Sequence, residues 1–253
     1  MPGTRPGGQP EAHRKMTEHH RPVRSFVRRA GRLTRAQERA LAELLPRWGI
    51  EPPPPDERLD LAAVFGRSAP RVLEIGFGDG ASLARTAAAN PGNDYLGIEV
   101  HEPGVGHLLL EIERLDLANV RVVVHDAVEV LNGWIEPASI DRLQLFFPDP
   151  WPKKRHHKRR IVQPGFLGTL ARVLKPGGVL HMATDWEPYA LHMRETAGAS
   201  PFFDEPTGGP ETGGRPPERP ETKFERRGLR LGHRVADLLY LRNDEPVSSA
   251  TPP

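Results

Sequence analysis

The chain has 253 residues, which is enough for one α/β domain with tails. It contains no cysteine, so disulfide and thiolate chemistry are excluded, and this composition suits a reducing cytoplasm, where we expect the protein to act. No apolar run approaches the roughly 18 residues that a membrane helix needs, so we expect no membrane association. The formal charge of +2 is small, but the charges are unevenly distributed.

The N-terminal part of the chain divides into two segments by composition. Residues 1–23 are rich in Gly, Pro, His and charged residues, which predicts a disordered tail. Residues 24–55 comprise a basic segment, a helix and a proline linker. Thr34 is predicted to be the N-cap of this helix, with Gln37 at the capping-box position.

From Arg71 onward, apolar strands alternate with amphipathic helices. The predicted strands are 71–75, 94–100, 120–125, 141–147, 179–184 and 235–242, and the predicted helices are 80–89, 104–117, 127–133, 164–174 and 186–197. This alternation predicts one α/β domain over 56–243, built on a doubly wound, mainly parallel sheet. Within that domain, 206–220 is predicted to be a flexible insertion, and 244–253 a disordered C-terminal tail.

A glycine-rich loop follows the first predicted strand, in the segment Glu74-Ile75-Gly76-Phe77-Gly78-Asp79-Gly80. Glycines allow the backbone to turn tightly and to approach a ligand. The spacing of Gly76, Gly78 and Ala81 also satisfies the dinucleotide fingerprint, so a nicotinamide site is an alternative. A tight structural turn without a ligand is a third possibility.

Acidic residues lie at or near the ends of three successive strands: Glu74, Glu99 and Asp126. A carboxylate at the end of the second strand bonds ribose hydroxyls in both cofactor classes. S-adenosylmethionine carries an adenine amino donor and a cationic methionine moiety, which favour acids, whereas acids would repel a pyrophosphate. The three acids therefore favour S-adenosylmethionine over a dinucleotide.

The fourth strand leads into Pro148-Asp149-Pro150-Trp151-Pro152. Prolines on both sides restrict the backbone direction at Asp149, which makes it a candidate active-site residue, with a rigid surface turn as the alternative. Amino-methylating DNA enzymes use a related motif with a different residue order.

Six permanent cations and two histidines follow directly in residues 153–160. Because this run adjoins the predicted active-site end of the fourth strand, phosphate binding is favoured over a solvated surface segment. The adjacent His156 and His157 do not predict a metal site, since neighbouring side chains do not converge on one ion without other ligands.

Together these motifs resemble the bacterial tRNA (guanine-N7-)-methyltransferase family. The matching segments are 24–27, 73–78, 97–101, 147–160, 174–178, 184–185 and 222–228, of which 147–160 and 222–225 are the most specific. The resemblance implies a Rossmann-like class I methyltransferase fold, with a seven-stranded, mainly parallel sheet and an antiparallel C-terminal strand. It also implies S-adenosylmethionine as cofactor and tRNA as substrate. The implied target is N7 of the variable-loop guanine at the conventional tRNA position 46.

The resemblance also assigns site residues. The cofactor-binding residues it implies are Glu74, Gly76, Gly78, Glu99, Asp126 and Asp149, and Asp149 is also the proposed catalytic residue. The implied substrate-binding residues are Lys153, Asp185, Thr222, Lys223, Phe224 and Glu225. The implied RNA-contacting residues are Arg155, His156, His157, Lys158, Arg159 and Arg160.

Methylation of guanine N7 removes no proton, so we interpret the role of Asp149 as electrostatic, and Glu225 and Asp185 as acceptors for the base edge. We expect no metal, no obligate protein partner, and a monomer or weak homodimer. Two alternatives are a methyltransferase for small molecules or proteins on the same fold, and a non-catalytic RNA-binding subunit. The first would not need the cations of 153–160, and the second would not need Glu74, Glu99 and Asp126.

Overall fold

The computed structural model describes residues 31–206, 215–216, 219–230 and 232–247. Within these ranges, the structure describes only the backbone of Lys223, Phe224, Arg227 and Leu229. The predicted tail 1–23, the basic segment that begins at residue 24, most of the predicted insertion 206–220 and the end of the predicted tail 244–253 lie outside the described residues.

The described residues form a seven-stranded sheet with the order β3-β2-β1-β4-β5-β7-β6. The strands are β1 (Arg71–Ile75), β2 (Asp94–Ile98), β3 (Val120–Val123), β4 (Ile140–Phe146), β5 (Leu174–Thr184), β6 (Phe203–Asp204) and β7 (Ala236–Arg242). Strands β1 to β5 pair in parallel, and β7 is antiparallel to both β5 and β6. The predicted doubly wound, mainly parallel sheet with an antiparallel C-terminal strand is confirmed. The sequence did not predict β6, because two residues are too few to show alternation.

Nine α-helices are present in the described part of the chain. They are α1 (Arg35–Glu43), α2 (Leu45–Trp48), α3 (Leu61–Phe65), α4 (Ala81–Ala89), α5 (Glu102–Leu115), α6 (Ala127–Gly133), α7 (Pro164–Val173), α8 (Glu187–Gly198) and α9 (Lys223–Arg230), and a 3₁₀ helix covers Lys154–Arg159. The helices predicted from the periodicity correspond to α4 to α8, with small shifts at their ends. None of these described helices is both long and apolar enough to cross a bilayer.

The predicted capping box of the first helix is present. Thr34 accepts a hydrogen bond from the backbone N–H of Gln37 at 3.3 Å, and the Gln37 side chain accepts one from the Thr34 N–H at 2.9 Å. The Gln37 amide also donates to the carbonyl of Pro103 at 2.9 Å, and Arg39 pairs with Glu113 at 2.6 Å. These contacts hold α1 against α5.

Apolar side chains are buried on both faces of the sheet. Val72 and Tyr95 belong to one buried cluster, while their chain neighbours Leu73 and Leu96 belong to the other. This alternation is the period of two that a strand imposes on its side chains. Because both faces are covered, polar groups can reach a ligand only beyond the strand ends, and that is where the candidate site lies.

Candidate active site

The carboxyl ends of β1, β2, β3 and β4 open into one cleft of about 300 Å³. The strand order reverses between β1 and β4, which is the switch point where doubly wound sheets bind ligands. The structure brings together at this cleft all six residues predicted to bind the cofactor, namely Glu74, Gly76, Gly78, Glu99, Asp126 and Asp149. Arg226 on α9 and Thr222, the residue just before α9, also line the cleft.

The glycine loop after β1 adopts a conformation that other residues rarely take. Gly76 and Gly78 have φ angles of 70° and 62°. A Cβ added at Gly76 would meet no atom within 4 Å, so the backbone there faces open space that a ligand can enter.

The carboxylate of Glu99 organises the wall at the end of β2. One oxygen accepts the N–H of Gly78 at 3.0 Å, and the other accepts those of Val100 at 2.7 Å and His101 at 3.1 Å. Glu99 therefore joins the glycine loop to the chain that enters α5.

Glu74 is the buried acid of the cleft, with 4% of its surface exposed. Burial raises its pKa to about 8, and the charges of Glu99 and Asp79 act in the same direction. The side chain is therefore mostly protonated at neutral pH and can donate a hydrogen bond as well as accept one.

The third acid, Asp126, caps α6 and accepts the N–H of Val128 at 2.9 Å. Its neighbour His125 also lines the cleft, with its ring centroid 5.0 Å from that of Trp134. Besides the mostly neutral Glu74, four carboxyl groups and two guanidinium groups line the cleft among the described residues, and this excess of acids favours a ligand that carries positive charge.

The loop after β4 holds Asp149 between two strained residues. Phe147 and Trp151 have φ angles of 51° and 44°, and each precedes a proline. Non-glycine residues in this region cost about 1–3 kcal/mol each, and such strain is concentrated at functional sites. The exposed Asp149 side chain thus lies on a backbone whose direction is fixed from both sides.

The side chains of the cationic run 153–160 differ in their exposure and contacts. Lys153, Lys154, Arg155 and Lys158 are exposed to solvent. Arg159 lies over the ring of Trp151, 4.4 Å from its centroid, and His156 contacts the same ring edge-on at 5.8 Å. His157 is partly exposed.

Arg160 differs from the rest of this segment because it is buried, with 4% exposure. Its Nε donates to the carbonyl of Pro150 at 3.0 Å, and its guanidinium lies 4.8 Å from the ring centroid of Tyr189. Direct contact with RNA would require this side chain to leave its buried position, whereas in place it supports the loop that carries Asp149.

Of the remaining predicted substrate residues, one lines the cleft and the others with described side chains do not. Thr222 lines the cleft, while Asp185 is not among the lining residues and lies 3.4 Å from Nδ1 of His233. Glu225 is buried and paired with Arg219 at 2.7 Å. Lys223 and Phe224 begin α9, but their side chains lie outside the described part of the structure.

Several site residues were missed by the sequence analysis. Asp79, Arg85, His125 and Arg226 line the cleft, and Arg219 and Asp237 form a buried ion pair behind it. A signal for the last pair was available, since an acid at Asp237 within an apolar strand requires a buried partner. In the described part of the chain, no three His, Asp or Glu side chains are grouped as metal ligands.

Known proteins resemble this chain in sequence and in fold. A family model described as "Putative methyltransferase" matches residues 68–238. A tRNA (guanine-N(7)-)-methyltransferase of Alkalilimnicola ehrlichii is 59% identical over 226 residues, which cover 89% of this chain and 95% of that protein. A tRNA (guanine-N(7)-)-methyltransferase of Halorhodospira halophila is 56% identical over 88% of this chain and 97% of that protein. The solved structure of the 16S rRNA methyltransferase KamB has a TM-score of 0.51 at 15% identity, covering 74% of this chain and 95% of that one, which supports the fold alone. The chain belongs to the tRNA (guanine-N7-)-methyltransferase family.

Proposed function

We propose that this protein transfers a methyl group from S-adenosylmethionine to N7 of a guanine in tRNA, the variable-loop guanine at the conventional position 46. The observation that carries the proposal is the juxtaposition of two features at the end of β4. An acidic cleft lined by Glu99 and Asp126 ends at Asp149, and the exposed cations of residues 153–158 begin four residues later. The names of the relatives at 56% and 59% identity support the same reaction.

The residues of the cleft fit the chemistry of the cofactor. The opening at Gly76 leaves space beside the backbone, and the carboxylates of Glu99 and Asp126 can accept from ribose hydroxyls and an adenine amino group. When bound, the cofactor supplies a methyl group on a sulfonium centre that is ready for transfer. The acidic lining suits a cation and would disfavour the pyrophosphate of a dinucleotide.

The chain itself needs to supply little acid–base chemistry. Guanine N7 has an exposed lone pair in the neutral base, so its methylation removes no proton. The contribution of the protein is alignment of the reacting groups, which can lower the barrier by about 7–11 kcal/mol in favourable cases. As the purine becomes methylated it gains positive charge, and Asp149 is proposed to stabilise that charge.

The tRNA is proposed to lie across the exposed cations of residues 153–158. Lys154, Arg155 and Lys158 would contact phosphates, which position the RNA but do not read its sequence. The base must also leave any pairing that covers N7, at a cost of a few kcal/mol. We further propose that the protein acts in the cytoplasm without an obligate protein partner.

The experiment is methyl transfer from radiolabelled cofactor to bulk tRNA, with the site mapped by borohydride and aniline cleavage at N7-methylguanine. Asp149→Ala should lower kcat by about 100- to 1000-fold, the range for removing an electrostatic stabiliser, while the fold survives because the side chain is exposed. Glu57→Ala, at an exposed loop acid away from the cleft, is the matched control and should keep wild-type turnover. Methylation of small molecules or proteins but not of tRNA would overturn the proposal, as would a nearly wild-type Asp149→Ala.

A further inference from the structure

Behind the cleft, Arg219 lies between two buried acids, with 2% of its surface exposed. Toward Asp237, its Nε donates to Oδ1 at 2.7 Å and its Nη2 to Oδ2 at 2.9 Å. Toward Glu225, its Nη1 donates to Oε2 at 2.7 Å and its Nη2 to Oε1 at 3.2 Å. One guanidinium thus bonds both oxygens of two carboxylates, although Arg219 belongs to the range predicted as a flexible insertion.

The Asp237 end of this group is fixed in the sheet. Asp237 lies on β7 with 1% exposure and also bonds Nε2 of His181, on the neighbouring strand β5, at 2.8 Å. Burial opposes ionisation of Asp237, but the hydrogen bonds from His181 and Arg219 outweigh it and lower its pKa. Burial lowers the pKa of His181, so the pair holds a carboxylate and a neutral imidazole at neutral pH.

The Glu225 end of the group holds the start of α9. Glu225 donates its backbone N–H to Oγ1 of Thr222 at 3.1 Å, and its carboxylate accepts the Thr222 N–H at 3.4 Å. This is the reciprocal pattern of a capping box. Thr222 and Arg226, on either side of Glu225 in the chain, both line the cleft.

Arg219 also meets the loop that carries Asp149. Its guanidinium carbon lies 5.6 Å from the ring centroid of Phe146 and 5.7 Å from that of Phe147. Phe147 lines the cleft two residues before Asp149. A single side chain therefore contacts both the β4 wall and the α9 wall of the cleft.

We infer that Arg219 is a positioning residue for methyl transfer: it anchors α9 to Asp237, so that Thr222 and Arg226 line the cleft that Asp149 also lines. The inference rests on the proposed function. It also reassigns Glu225, because both of its carboxylate oxygens are engaged by Arg219 and a base edge would have to compete for them. Glu225 then acts by holding the helix, and the groups of this wall that meet ligands are Thr222 and Arg226.

The test compares Arg219→Met, Arg219→Lys and Glu225→Gln with Arg215→Met. The control removes a half-exposed cation 3.8 Å from Glu225 but leaves Arg219 in place, so turnover should remain within about twofold. Arg219→Met should lower kcat by up to about 100-fold in protein that circular dichroism shows to be folded, because misplacement of about 1 Å has that effect. The KM for tRNA should change little, since the exposed cations are untouched.

Arg219→Lys should be intermediate, because an ammonium cannot bond two carboxylates as a fork. The double variant Arg219→Met/Glu225→Gln should lose no more activity than Arg219→Met, since the two residues act through one contact. Hydrogen exchange of the backbone over 222–230 should speed up in Arg219→Met and stay unchanged in Arg215→Met. That readout does not depend on activity.

Unchanged kcat in the folded variants, or losses that multiply in the double variant, would overturn the inference. If Arg219→Met does not fold, Arg219→Lys and Glu225→Gln decide: an approximately 10-fold lower kcat in both supports it, and wild-type kcat in both overturns it. If wild-type protein does not methylate tRNA, the proposed function is wrong. The exchange measurement then still decides whether Arg219 anchors α9.

Discussion

The carboxylate of Glu99 accepts the backbone N–H of Gly78 at 3.0 Å and so ties the end of β2 to the glycine loop after β1. The same carboxylate accepts the N–H groups of Val100 and His101, which enter α5. The acid expected to meet the ribose therefore also holds the shape of the loop beside it. Both the affinity for the cofactor and the conformational order of the glycine loop should therefore depend on Glu99.

Replacing this acid should weaken cofactor binding far more than tRNA binding. For Glu99→Ala we expect the affinity for S-adenosylhomocysteine, measured by calorimetry, to fall about 10- to 100-fold. The reason is the loss of charge-assisted hydrogen bonding worth roughly 1.5–3 kcal/mol. Glu102→Ala, at an exposed acid three residues along, should bind normally. Unchanged affinity in Glu99→Ala would remove this residue from the site. Preferential binding of a nicotinamide dinucleotide would revive the alternative of a nicotinamide site at the glycine loop.

The glycine loop should also be sensitive to a methyl group placed behind it. A Cβ at Gly104 on α5 would lie 2.0 Å from the carbonyl oxygen of Gly78, whereas one at Gly165 on α7 would meet nothing within 4 Å. For Gly104→Ala the steric cost of about 1–3 kcal/mol should exceed the gain in helix propensity of about 1 kcal/mol. Thermal unfolding should occur at lower temperature and S-adenosylhomocysteine should bind more weakly.

Gly165→Ala, the matched control, should be neutral or slightly stabilising, because it gains helix propensity without a contact. Equal effects of the two substitutions on the melting temperature would contradict the close packing of α5 against the loop.

Glu74 should make the stability depend on pH. Its pKa rises from 4.5 to about 8 on folding, so between these values the unfolded chain releases a proton that the folded chain retains. The free energy of unfolding must therefore fall as pH rises through this window. At up to 1.36 kcal/mol per pH unit, with a smaller slope near each pKa, the loss from pH 5 to pH 8 is about 3–4 kcal/mol for this group alone.

Glu74→Gln cannot ionise, so the difference in unfolding free energy between wild type and variant should shift by that amount over the window. Urea unfolding at pH 5, 6.5 and 8 measures it, with the exposed Glu57→Gln as control. A difference that is constant with pH would mean that Glu74 is ionised throughout.

The exposed cations should control the salt dependence of tRNA binding. Neutralising Lys154, Arg155 and Lys158 together should flatten the log–log salt slope by about 2–3 units if each contacts one phosphate. The effect should be the same for a tRNA that lacks the target guanine, and cofactor affinity should not change. An unchanged slope would mean that the segment is only solvated surface.

Arg160→Met provides the contrast within the same run of residues. Its side chain is buried against Pro150 and Tyr189, so its loss should lower kcat while leaving the salt slope in place. A slope that flattens by a full unit in Arg160→Met would show instead that the side chain reaches a phosphate.

The sequence by itself determined the parallel part of the sheet and several acids of the cleft. Alternating apolar strands and helices predict parallel strands, and the carboxyl ends of parallel strands lie at one edge of a sheet. Residues that follow different strands, such as Glu99, Asp126 and Asp149, must therefore meet there. The capping box of Thr34 and Gln37 is a signal contained within four residues, so it too could be predicted.

Only the tertiary structure decided which charged side chains are exposed. In the sequence Arg160 is one cation in a run, but Tyr189 on α8 and the carbonyl of Pro150 bury it. Glu225 is predicted from the sequence to be an acceptor for a base, but Arg219, which also donates to Asp237 on β7, engages its carboxylate. The physical reason is the same in both cases: a charge is buried only when a partner compensates for its lost hydration, and here the partners come from elements that local sequence patterns do not connect.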